Sequence, residues 1–139
     1  MAYDTTLNLL EPSTVNATGN GSAKFLGRNR TFKAYQRVGG DVTGTSPTWD
    51  AAIQESTDGS TGWTTIATFP QVTAEMVGYV ATTTPRYEVP GSDANVRTFS
   101  TTKDYVRVAN TTGGTTPVFP LASVKIQPSS DAFKQSGRN

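Results

Sequence analysis

The sequence predicts an all-β protein: an antiparallel β-sandwich, jelly-roll-like, of about eight strands. Three observations predict it. Thr is the commonest residue, and 13 Gly and 8 Pro are spread along all 139 positions; β-branched Thr favours strands while Gly and Pro punctuate turns. Residues 49–54 alternate cleanly, with Trp49, Ala51 and Ile53 on one face and Asp50, Ala52 and Gln54 on the other. Short apolar runs recur every 8–12 residues or so between turn signals, the pattern of a sandwich or barrel.

Each element follows in order. Residues 1–24 are read as a polar arm, in which Leu7, Leu9 and Leu10 form a short strand or docked arm and Thr14 to Ser22 a loop. Residues 25–127 are the sandwich domain. Phe32 and Ala34 alternate with Lys33 in a half-buried strand that Val38-Gly39-Gly40-Asp41 ends. Ser46-Pro47 reads as a turn. The strand from Trp49 reaches Asp58-Gly59, a strong turn signal, and Trp63 to Ile66 returns as its hairpin partner. Phe69, Val72 and Met76 to Val80 make further strand, broken by Pro70 and Gly78. Thr82 to Pro85 is extended, Tyr87 and Val89 share a face, and Pro90 to Asp93 turns the chain. Val96 to Ser100 is a strand. In the next, Tyr105, Arg107 and Ala109 oppose Val106 and Val108. Asn110 to Pro117 reads as a loop of small residues, and Val118 to Ile126 closes the domain with an edge or bulge at Pro120. Residues 128–139 are read as a polar tail.

Composition excludes much chemistry. The chain has no Cys and no His, which removes disulfides, Cys/His zinc sites, Cys- or His-ligated haem and His-dependent nucleophile systems. The formal net charge is +1, too balanced for a nucleic-acid-binding domain. No apolar run of about 18 residues occurs, so no membrane-spanning helix is expected. The start has neither a basic nor an apolar leader region, so no signal peptide is expected. Phosphate-loop, dinucleotide and zinc-protease motifs are absent. Asp50, Glu55 and Asp58 lie close in sequence, but Asp50 and Glu55 point to opposite faces and Asp58 serves the turn, so a structural role is expected. Glu75, Glu88 and Asp93 have no evident partners. Asn-x-Ser/Thr triplets at Asn16, Asn20, Asn29 and Asn110 carry no weight in so Thr-rich a chain. No enzyme, no metal and no cofactor are expected.

Binding features are sparser. Lys24, Arg28, Arg30, Lys33 and Arg37 cluster with Phe25, Phe32 and Tyr35 between them, a solvated face or a docking contact to an acidic protein surface or nucleic acid, the last disfavoured by the net charge. Trp49, Trp63, Tyr79, Tyr87 and Tyr105 are either core or exposed stacking residues. Arg107 is a solvent-facing strand residue or an interface arginine.

Two stretches carry a resemblance: residues 49–59 closed by Trp63-Thr64-Thr65-Ile66, and Val96 to Val108 followed by Gly113-Gly114-Thr115-Thr116-Pro117-Val118-Phe119. Together, over roughly residues 47–127, the chain resembles jelly-roll capsid decoration (cement) proteins of tailed bacteriophages. The resemblance implies a structural virion protein on the outer capsid surface, assembled in the host cytoplasm. It implies a homotrimer bridging major capsid protein subunits, alongside other head proteins, with no direct nucleic-acid or membrane contact. The expected interface comprises Leu7, Leu9, Arg28, Arg30, Tyr105 and Arg107. Similar strands also occur in galactose-binding-like and discoidin-type jelly rolls. The alternatives are therefore a carbohydrate-binding module or a phage tail or baseplate component.

Overall fold

The computed structural model describes residues 7–74 and 96–128. Nine strands follow one another: β1 (Leu7–Val15), β2 (Gly19–Asn20), β3 (Lys24–Phe25), β4 (Thr31–Arg37), β5 (Thr43–Ser56), β6 (Thr64–Thr68), β7 (Val72–Thr73), β8 (Val96–Ser100) and β9 (Tyr105–Pro128). The chain is all-β and antiparallel, a sandwich-like sheet that nearly closes into a barrel.

The 24-residue β9 organises everything else. Its second half pairs with β4 on one edge and β1 on the other: Ile126 faces both Ala34 and Leu7. Its first half lies between β5 and the short β2 and β3, so that Asn110 faces both Ala51 and Gly19. Strand β8 extends the first sheet through β4, and β6 and β7 extend the second through β5.

Alternation places the core. Trp49, Ala51 and Ile53 of β5 and Val106 and Val108 of β9 are buried from the second sheet. Phe32 and Ala34 of β4, Leu9 of β1 and Val124 and Ile126 of β9 are buried from the first. Each large apolar side chain buried this way contributes about 1.5–3 kcal/mol. The Trp49 indole N–H donates to Asn110 Oδ1 at 2.8 Å, so its one polar atom is satisfied inside the core. Its ring packs on Phe119 with centroids 6.0 Å apart.

The segment expected to be the loop 110–117 is continuous β9. The reason is a close backbone-on-backbone approach within the β5–β9 pairing. Gly114 has φ 90° and Gly44 of β5 has φ 113°. A Cβ on Gly114 would run into the Ser46 carbonyl and meet the Thr45 carbonyl at 2.6 Å; one on Gly44 would meet the Thr116 carbonyl at 2.5 Å. Only glycine allows this approach. Ser46-Pro47 is likewise not a turn but lies inside β5, where register shifts and φ 49° at Ser46 mark a bulge. Bulges bend a strand and raise its twist, and here they accompany the passage of β9 from one sheet to the other. At Pro120 the expected bulge is present: Gly39 N donates to both the Pro120 and Leu121 carbonyls, and Leu121 has φ 51°.

The boundary drawn at residue 24 does not separate an arm from the domain. Strand β1 is built into the first sheet, Leu9 and Val15 are buried, and β2 lies within the expected Thr14–Ser22 loop. Three register shifts along β1 erase the period-two pattern by which a strand is read. The hairpin from Trp49 is as expected, with the returning strand at Thr64–Thr68. Expectations for Glu75, Met76 to Val80, Thr82 to Pro85, Tyr87, Glu88, Val89 and Pro90 to Asp93, and for the 129–139 part of the tail, lie outside the described residues.

Two stability outcomes follow. Gln36 is 2% exposed on the core face of β4, and neither of its amide atoms has a hydrogen-bond partner among the described residues. An unsatisfied buried amide costs about 1–3 kcal/mol, so Gln36→Met, close in volume, raises the urea midpoint and the melting temperature by several degrees. Gly114→Ala, strained in φ and in space, destabilises by well over about 1 kcal/mol in the same denaturation series.

Candidate functional site

The second sheet turns one face inward and one outward. Register decides which side chains share the outer face: Phe25 and Tyr105 form one row, with Ser56 opposite Tyr105 but buried beneath the hairpin turn, Arg107, Gln54 and Thr65 the next, then Ala109, Ala52 and Thr68, then Thr111 and Asp50. Polar alternation in β5 and β9 produces this face just as apolar alternation produces the core.

At one end stands an aromatic pair. Phe25 is 66% exposed and meets the Tyr105 ring edge-on, 5.4 Å between centroids. Tyr105 in turn packs over Gly59, where a Cβ would touch the ring at 3.0 Å. In the neighbouring row the Arg107 guanidinium lies 4.2 Å from the Trp63 ring centroid, and its Nε donates to Gln54 Oε1 at 2.9 Å. Beyond it lies a depression of about 480 Å³ lined by Asp50, Gln54, Thr65, Thr68, Ala109 and Thr111, among others. Gln71 Nε2 donates to Asp50 at 3.0 Å.

A polar corner braces the aromatic end. The inward register of β5 continues from Trp49, Ala51 and Ile53 to Glu55, 3% exposed. Its carboxylate accepts from Thr102 N at 2.8 Å, Thr102 Oγ1 at 2.6 Å and Lys103 N at 3.0 Å. Burial alone would push the Glu55 carboxyl up; these hydrogen bonds, with the Lys103 charge, outweigh it and hold it below the usual range. The 101–104 segment then grips residues 26–30. Leu26 N and Gly27 N donate to the Asp104 carbonyl, Thr101 Oγ1 donates to the Gly27 carbonyl at 2.7 Å, and Arg28 makes a two-pronged ion pair with Asp104. At the hairpin tip Asp58 accepts from Ser60 N, Thr61 N and the Ser56 and Thr61 hydroxyls. The Thr61 and Ser60 amides, followed by the two hydroxyls, hold its carboxyl far below the usual range.

The expected interface residues therefore scatter. Tyr105 and Arg107 share the outer face, and Leu7 is 40% exposed on β1. Leu9 is 1% exposed in the core and is not a surface residue. Arg28 is spent on Asp104. Arg30 donates to the Leu26 carbonyl at 3.0 Å and lies 5.0 Å from the Phe32 ring centroid. The two arginines thus stiffen the corner, while Lys33, Tyr35 and Arg37 alternate on the outer face of the first sheet. Asp50, Glu55 and Asp58 do not converge, and among the described residues no group of three His, Cys, Asp or Glu side chains comes together. Sequence reading passed over Glu55 as an anchor; the signal was its place one step beyond Ile53 in the inward register. It read Phe25 only as an aromatic within the basic cluster; its pairing with Tyr105 comes from the register of β3 on β9. No family model matches the chain, and no curated protein matches it.

The acid limb of stability follows from the corner. Both carboxyls are depressed in the folded state, so their contribution is complete above the ordinary carboxylate range and is lost as pH falls through their folded-state values. Urea stability measured from pH 7 to pH 2 falls across this range, and falls less steeply in Glu55→Gln. Glu55→Ala, which strands the Thr102 and Lys103 amides, costs about 3 kcal/mol at pH 7.

Proposed function

We propose that this chain is a non-enzymatic structural protein that decorates the outer surface of a viral capsid, bridging major capsid protein subunits as a homotrimer. The supporting observation is the Phe25–Tyr105 pair. A two-thirds exposed Phe, seated on a second aromatic ring and backed by a cross-linked polar corner, has the character of a binding hot spot: large apolar area, little side-chain entropy left to lose, and a rigid support. Beside it the Arg28 and Asp104 charges are already paired with each other, which lowers the cost of desolvating them at an interface. Resemblance of residues 47–127 to capsid decoration proteins supplies the identity of the partner. Threefold symmetry would multiply a small contact into firm attachment.

Light scattering coupled to size exclusion tests the oligomer, with a mass near three times 14.8 kDa expected. Cosedimentation with empty shells of the cognate major capsid protein tests attachment. Phe25→Ser lowers shell occupancy at least tenfold at limiting protein while its unfolding free energy from urea denaturation stays within about 0.5 kcal/mol of the parent. A monomer that also fails to bind shells would overturn the reading.

A further inference from the structure

The depression on the outer face of the second sheet lies beside the proposed docking pair and is chemically unlike it. We propose that it is a binding site for a neutral saccharide, independent of any capsid contact. Its shape comes from register. Ala109, Ala52 and Thr68 sit side by side on β9, β5 and β6 and form a low floor. The flanking rows, Gln54–Thr65 on one side and Thr111–Asp50 on the other, stand two residues away along the strands in each direction. At about 3.3 Å per residue the walls are roughly 13 Å apart. The two alanine methyls offer a small flat apolar surface, suited to the C–H face of a pyranose ring.

The walls fix the class of ligand. Thr65, Thr68 and Thr111 offer hydroxyls, Gln54 an amide and Asp50 a carboxylate, a mixture of donors and acceptors that sugar hydroxyls match because each both gives and takes a hydrogen bond. The one charge among the lining residues, Asp50, already has a neutral partner, Gln71. It would repel an anionic ligand, and Arg107, stacked on Trp63, does not line the depression to offset it. An apolar peptide would take water from the Asp50 carboxylate and the threonine hydroxyls without replacing it.

The test uses the full chain, fluorescently labelled, on an array of neutral, sulfated and sialylated glycans. The best-bound glycan is then titrated while tryptophan fluorescence is followed. Saturable binding to a neutral glycan is expected. Ala109→Gln, which fills the floor from the solvent side, weakens it at least tenfold, and Gln54→Ala, which removes the central amide, does the same. Circular dichroism confirms that each variant is folded, and the second variant carries the test should the first not fold. Absence of any neutral glycan above background, retention of charged glycans only, or equal binding by the parent and both folded variants would overturn the proposal.

Discussion

The fold depends on one close approach: the irregular antiparallel pairing of β5 with β9 around Gly44 and Gly114. Here two backbones pass so near that neither position tolerates a Cβ. Strand β9 continues past this approach as a single strand, so its first half joins one sheet and its second half the other. Trp49 on Phe119 illustrates the result, since one residue belongs to β5 and the other lies beyond the approach on β9.

The polar corner works in a different way. It recruits irregular chain that has no sheet partner and holds it with a buried carboxylate, a buried threonine and an ion pair. The Arg28–Asp104 pair, half-exposed on the arginine side, contributes little on its own. Glu55 contributes more, because it satisfies two amides and a hydroxyl that would otherwise be stranded. The corner thereby converts a loop-on-loop contact into a rigid base for the Phe25–Tyr105 pair, and fold stability and surface presentation become the same network.

Regular alternation was readable from the residues alone. The Trp49–Gln54 pattern, the Asp58-Gly59 turn and the Val106/Val108 face all appear in the structure because neighbouring positions settle them locally. What escaped was whatever bulges hide. Strand β1 shifts register three times, so only Leu7, Leu9 and Leu10 read as a short strand, while Val15 falls in what looks like loop. Gly113-Gly114 looks like a loop until Gly44 and Ser46 stand opposite it. The outer-face site was half legible. Tyr105 and Arg107 were visible as outward residues of one strand, but Phe25, Trp63 and the Ala52–Ala109 floor acquire meaning only when three strands lie in register.

The position of β9 along the chain has a further consequence, for synthesis. Strands β1 to β5 all precede it, and every one of β1 to β4 pairs with a strand made later. As the polypeptide leaves the ribosome these segments have open edges and no template, and the sheet closes only when residues up to 128 have emerged. Such long-range pairing is slow and leaves strand edges exposed in the meantime. The charged and proline-interrupted character of β1, with Glu11 and Pro12 at its middle, is well suited to that waiting period, because it keeps an unpaired edge from joining the wrong neighbour.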